Sequence, residues 1–162
     1  TGEIRSRGFE LEAKAAVNAN INLTAAYSYT DAEYTHDTVF EGKRPAEVPR
    51  NMASLWADYT FHETALSGLT IGAGARYIGS TVSYYKNDTS TGKKNDSFNV
   101  AGYALMDATV KYDLARFGLP GSSVGVNVNN LFDREYVSSC YSEYACYWGA
   151  ERQVVATATF RF

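Results

Sequence analysis

From position 150 to the end of the chain, alternate residues differ in character. Ala150, Arg152, Val154, Ala156, Ala158, Phe160 and Phe162 share one parity, and Glu151, Gln153, Val155, Thr157, Thr159 and Arg161 share the other. Upstream, Val124, Val126 and Val128 alternate with Gly125, Asn127 and Asn129 in the same way. Period-two alternation predicts β-strands with two unlike faces. A strand of a soluble sandwich would hide the apolar face in a core. Here the polar parity points to a wet interior, the pattern of a transmembrane β-barrel that is apolar outside and polar inside.

Five more segments repeat the unit. Phe9, Leu11, Ala13, Ala15 and Val17 oppose Gly8, Glu10, Glu12 and Lys14, so a strand is expected over about Arg5–Val17. After Asn18-Ala19-Asn20, Ile21, Leu23, Ala25, Tyr27 and Tyr29 oppose Asn22, Thr24, Ala26, Ser28 and Thr30, which makes a hairpin. A third strand over Asn51–Phe61 sets Ala53, Leu55, Ala57 and Tyr59 against Ser54, Asp58 and Thr60, with Trp56 on the polar parity either packed in the lumen or set at the lipid interface. A fourth, Leu69–Tyr77, places Gly72 and Gly74 on the inner face, where they would leave room inside a barrel. A fifth, Val100–Asp113, turns Met106, Ala108, Val110 and Tyr112 outward and Asp107, Thr109 and Lys111 inward.

The connections alternate in length. They are short at 18–20, 62–68 and 114–122 and long at 31–49, 79–99 and 133–148. Barrels of the outer membrane have short periplasmic turns and long extracellular loops, so the first strand begins outside and the last ends in the periplasm. A closed meander in one chain needs an even strand number, and about seven are found, so closure requires strands from elsewhere. The loop at 79–99, rich in Ser, Thr, Asn, Lys and Gly, is expected to be solvated and mobile.

Composition changes the picture little. Thirteen Tyr, eight Phe and two Trp suit aromatic girdles at the membrane edges, whereas mean hydropathy is slightly negative because alternation averages out. A formal charge of −3 gives no basic footprint, so no nucleic acid is expected as a partner. No run of apolar residues is long enough for a membrane helix, and the chain opens without a secretory signal pattern, as a fragment or split chain would. Cys140 and Cys146, close together in a polar and aromatic loop, favour a disulfide over two free thiols. Zinc would need two further ligands, and His36 and His62 are distant, so no metal ligands are expected. Gly121-Ser122-Ser123-Val124-Gly125 fits G-x-S-x-G but opens into a strand where a nucleophile elbow needs a helix, and no enzyme is expected.

The run VNNLFDREY (Val128–Tyr136), the Cys140/Cys146 loop followed by Tyr147-Trp148-Gly149, and the ending ERQVVATATFRF (Glu151–Phe162) resemble the end of the TonB-dependent ferric-hydroxamate siderophore receptors. YTDAEYTHDT (Tyr29–Thr38), VPRNMASLWADYTF (Val48–Phe61) and KYDLARFG (Lys111–Gly118) extend the similarity over most of the chain, though not to 80–99 or parts of 141–145. The resemblance implies that residues 1–162 are the C-terminal portion of an all-β, antiparallel barrel of about 22 strands around a plug, in the outer membrane of a Gram-negative bacterium. It implies transport of a ferrichrome- or ferrioxamine-like ferric hydroxamate, with iron present only inside the siderophore. It implies as partners a TonB complex reached through the missing N-terminal part, outer-membrane lipid and lipopolysaccharide, phage or bacteriocin, and the barrel assembly machinery. That machinery would recognise a terminal signal comprising Thr157, Phe160 and Phe162.

A hydroxamate satisfies iron with its own oxygens, so a receptor offers aromatic faces and hydrogen-bond donors. The siderophore-binding candidates are therefore Tyr147, Trp148, Tyr141 and Tyr144, with Tyr84 and Tyr85 behind them; the alternative role for such rings is an aromatic girdle. Continuing the parity of the last strand places Tyr147 inside and Trp148 at the lipid interface. Arg134 and Glu135 are expected to pair near the top of the barrel. The competing functions are an outer-membrane barrel enzyme, a pore closed by oligomerisation, and a truncated barrel held as an assembly substrate.

Overall fold

A computed structural model describes residues 2–63, 65–85 and 96–161. Its strands are β1 (Glu3–Ala16), β2 (Ile21–His36), β3 (Asn51–Thr60), β4 (Leu69–Ile78), β5 (Thr81–Tyr84), β6 (Ser97–Val100), β7 (Tyr103–Asp113), β8 (Ser123–Asn129), β9 (Val137–Ser142), β10 (Ala145–Trp148) and β11 (Gln153–Thr159). Seven of them form one sheet in the order β1-β2-β3-β4-β7-β8-β11, antiparallel throughout. The remaining four make two small hairpins, β5/β6 and β9/β10. The large sheet is a partial barrel wall, as the alternation predicts.

Register carries that alternation across the wall. One row runs Ala15, Leu23, Ala57, Ala73, Ala108, Val128, Val154; the next row on that face runs Ile21, Tyr59, Ile71, Val110, Val126, Ala156. Between them lies the polar row Asn22, Asp58, Gly72, Thr109, Asn127, Val155. A slip of one residue would turn polar side chains, charges among them in β1, β3, β4 and β7, toward lipid, so the membrane fixes the register. Phe9, Leu11, Leu55, Ile71, Met106, Val110 and Val154 are all exposed on the apolar face. So wide a bare apolar surface belongs against lipid.

Trp56 lies on the polar side. A Cβ on Gly72 would come within 2.8 Å of the Trp56 indole, and one on Gly74 within 2.5 Å. The inner-face glycines thus make room for the indole of this same wall; the space is not left open for something else.

A single-layer sheet between lipid and lumen has no interior of its own. Among the described residues the buried side chains are accordingly found away from the middle of the wall: Ala32, Val100, Leu105, Thr81, Ser83, Asn130 and Cys140 near its outer end, and Ser122 at an inner turn. The outer end is more ordered than the polar composition predicts. β2 continues to His36, paired with β1 as far as Glu3, and only then does the loop begin. Asp37 caps that loop, its carboxylate accepting from the N–H groups of Val39 and Phe40 at 2.8 and 2.9 Å, and these bonds hold its pKa below the usual carboxylate value. The connection at 79–99 folds as β5/β6 where it is described, while its middle, 86–95, lies outside the described residues. Val100 belongs to β6, so β7 starts later than the alternation suggests. The last strand is also shorter, Gln153–Thr159.

The inner turns are tight. The Asn18 carboxamide accepts from the N–H groups of Asn20 and Ile21, a side-chain-capped turn. Ser122 Oγ accepts from the Arg161 N–H at 3.0 Å, tying the end of the chain to the turn before β8. Ser123 begins β8, between Asp113 and Thr159, with no helix following.

Candidate functional site

The outer face is built by three segments that lean on one another. Phe40, in the loop after β2, packs on Tyr34 and on Tyr84 of β5 at centroid distances of 5.7 and 4.8 Å. The Tyr84 hydroxyl donates to the Arg44 carbonyl at 2.5 Å, and the Glu47 N–H donates to the Val82 carbonyl at 3.1 Å. Burial in this layer raises the Tyr84 pKa above the ordinary tyrosine value. Tyr85 packs on Phe98 at 5.1 Å. Tyr84 and Tyr85 therefore knit the loops together rather than presenting open faces.

Beside them stands the β9/β10 hairpin, closed by a Cys140–Cys146 disulfide across the register. Cys140 is buried, whereas Tyr141, Tyr144, Tyr147 and Trp148 are 77, 84, 60 and 72 % exposed. All four sequence candidates are thus exposed on one small hairpin. The parity of the last strand does not extend to Tyr147 and Trp148. β10 is hydrogen-bonded to β9, its register shifts between Tyr147 and Trp148, and residues 149–152 separate it from β11. Neither ring is fixed by the face of the last strand, and both are open.

The NNLFDREY run is the foot of that hairpin. Asn130 has φ +53 and is buried; its N–H donates to Asp107 Oδ1 at 2.8 Å, and its side-chain amide donates to the carbonyls of Arg134 and Ala150 at 2.9 and 3.2 Å. Its carboxamide oxygen accepts from the Arg134 N–H at 2.9 Å. Asp107 in turn pairs with Arg76 of β4, at 2.8 Å from Nε. Asp133 accepts from the Arg152 N–H at 2.7 Å. One asparagine and two aspartates thereby clamp β4, β7, the end of β8 and the start of the last strand. Arg134 donates to the Ala104 carbonyl at 3.0 Å, and among the described residues no ion pair joins it to Glu135. Tyr136 packs on Tyr103 at 4.2 Å and occupies the space that a Cβ on Gly149 would need, so Gly149 is fixed by close approach. Sequence shows these residues as a motif; only folding shows why an asparagine in a left-handed conformation stands at its head.

Beneath the hairpin, on the polar side, lies an open cleft of about 420 Å³ lined by Arg76, Asp107, Asn129, Tyr136, Glu151 and Gln153 among others. Among the described residues there is no group of His, Cys, Asp and Glu fit to hold a metal. Of the proposed terminal signal, Thr157 lies on the polar face opposite Gly125, Phe160 is exposed, and Phe162 lies outside the described residues.

Known proteins agree with this architecture. The chain is 60% identical over 161 residues to the ferrichrome outer membrane transporter/phage receptor of Escherichia coli, covering 99% of this chain and 20% of that protein. It is 41% identical over 162 residues to the ferrioxamine B receptor of Salmonella typhimurium, covering 99% of this chain and 22% of that protein. Among solved structures, the pyoverdine outer membrane receptor FpvA of Pseudomonas aeruginosa superposes with a TM-score of 0.74 at 25% identity, over 98% of this chain and 22% of FpvA. The chain spans about a fifth of the length of these relatives. The TonB dependent receptor-like β-barrel family matches residues 1–131, and with the partial wall, its lipid-facing rows and its disulfide hairpin, the chain belongs to that family of Gram-negative outer-membrane proteins.

Proposed function

We propose that residues 1–162 form the C-terminal portion of the barrel of a TonB-dependent receptor that takes up a ferric hydroxamate siderophore of the ferrichrome or ferrioxamine type. The observation that carries this is the 60% identity over the whole chain to a ferrichrome transporter, joined to the open aromatic platform on the outer face. Iron would travel only inside the siderophore, so the wall supplies no ligands to it. Tyr141, Tyr144, Tyr147 and Trp148 would bind by stacking and by hydrogen bonds from their hydroxyl and indole groups. The disulfide limits how far these rings move before binding, which reduces the ordering that binding requires. Release into the lumen would be driven by a TonB complex acting on sequence outside this chain, and the protein would act as a transporter and not as a catalyst.

The apolar rows would face outer-membrane lipid and lipopolysaccharide, the exposed hairpins would be available to phage or bacteriocin, and Thr157, Phe160 and Phe162 would form the signal read by the barrel assembly machinery. The test is a titration of the full-length receptor with ferrichrome and with ferrioxamine B. A ring packed on the cargo is worth about 1–3 kcal/mol, so Tyr147→Ala should raise Kd roughly tenfold. An unchanged Kd in a folded receptor removes the hairpin from the site; a wild-type receptor that binds neither complex overturns the hydroxamate assignment.

A further inference from the structure

Several side chains on the polar face of the wall are satisfied within it, whereas Glu10 and Lys111 make no ion pair among the described residues. Lys14 pairs with Glu12 at 2.8 Å, the Asn22 amide donates to Asp58 at 2.9 Å, the Thr60 and Thr70 hydroxyls share a hydrogen bond at 3.0 Å, and Thr109 donates to Asn127 at 2.7 Å. The cleft under the hairpin gathers several unsatisfied groups in one place. Its floor is the Arg76–Asp107 pair, in which the cation is neutralised and locked by Asn130. Around that floor the side chains of Asn129, Glu151 and Gln153 make no hydrogen bond among the described residues, and all three line the same cleft. Neutralising Arg76 leaves Glu151, in the 149–152 link to β11, as the charge of the cleft without a countercharge among the described residues.

We propose that this cleft is a charge-selecting station below the aromatic platform, with Glu151 as the specificity-determining residue and the Asn129 and Gln153 amides as donors to cargo oxygens. The proposal rests on the hydroxamate function proposed above and deepens it. Three monoanionic hydroxamates cancel the charge of ferric iron, giving a neutral core whose outward oxygens accept hydrogen bonds; three dianionic catecholates leave a charge of minus three. A lone carboxylate beside two amides admits the first class, favours it further when the siderophore carries an ammonium, and repels the second. The floor contributes shape and not charge, because Asp107 has already cancelled Arg76.

The test uses the full-length receptor and three probes on one scaffold: ferrichrome, a ferrichrome derivative with an added ammonium, and one with an added carboxylate. In the wild type the cationic probe should bind tightest and the anionic one weakest. Glu151→Lys should invert that order, shifting the ratio of cationic to anionic affinities roughly tenfold or more at low salt, with the shift shrinking as salt rises. Neutral ferrichrome should stay within about twofold, since a loss of one contact would be felt by all three probes and a charge effect only by two. Glu10→Lys, on the polar face of β1 and away from the cleft, should leave the order unchanged. Glu151 makes no hydrogen bond or ion pair among the described residues, so retained heat-modifiable migration of the variant barrel is expected. Equal shifts for all three probes, no shift at all, or the same inversion from Glu10→Lys would overturn the charge-selecting cleft while leaving the hydroxamate assignment standing. Failure of the wild type to bind any of the probes would overturn both.

Discussion

Ala156 and Thr157 are neighbours in β11 that face opposite media. Ala156 continues the outward row Ile21, Tyr59, Ile71, Val110, Val126, and Thr157 stands opposite Gly125 on the polar side. Depth follows from strand geometry. Phe160, exposed on the outward parity, marks the inner girdle, and at ~3.4 Å per residue with a tilt of ~40° the four steps back to Ala156 rise ~10 Å along the membrane normal. The apolar band of such barrels is ~25 Å tall, so Ala156 sits close to its middle. Arginine there should cost about 2–4 kcal/mol. At Thr157 the guanidinium would reach water in the lumen and should cost less than ~1 kcal/mol. The assay is equilibrium unfolding by guanidinium of the full-length receptor in vesicles, comparing Ala156→Arg with Thr157→Arg. Equal costs, or a larger cost at Thr157, would mean that the faces of the last strand have been assigned the wrong way round.

Gly72→Ala should cost about 1–3 kcal/mol, because its Cβ would press on the Trp56 ring at 2.8 Å and on the Thr109 methyl at 2.9 Å. Much of that cost should vanish in a Trp56→Ala background, with a coupling of about 0.5–3 kcal/mol in a double-mutant cycle; strict additivity would show that the indole lies elsewhere. For Tyr84 the folded state holds the proton more tightly than the unfolded one, since burial raises its pKa. Its contribution is therefore complete below about pH 10 and falls as pH rises through the raised value. Absorbance titration of wild type against Tyr84→Phe should show one phenol ionising late, with loosening of the outer loops in step. A difference titration centred at the ordinary value would refute this.

Much of the wall is legible in the sequence because lipid and water impose a binary code at period two. Leu69, Ile71, Ala73, Ala75 and Tyr77 identify their face without any neighbour being known, and long and short connections then give the direction of each strand. The same code fails where neither solvent sorts residues. Beyond the membrane a polar residue can be loop or strand, so β2 runs to His36 through Asp31 and Glu33 by pairing with β1, and within 79–99 β5 pairs with β6. Parity likewise stops at residues 149–152, so the orientations of Tyr147 and Trp148 come from β9 and not from β11. The sequence by itself determined the class of fold, the two faces and the cysteine bridge, since these depend on local alternation and proximity. Only the tertiary structure decided that Gly72 and Gly74 are paired with an indole, that Asn130, Asp107 and Asp133 clamp β4, β7, the end of β8 and the start of the last strand, and that Glu151 is left without a countercharge among the described residues. Each of those facts depends on which side chains meet across strands, and that is set by register and three-dimensional closure, not by spacing along the chain.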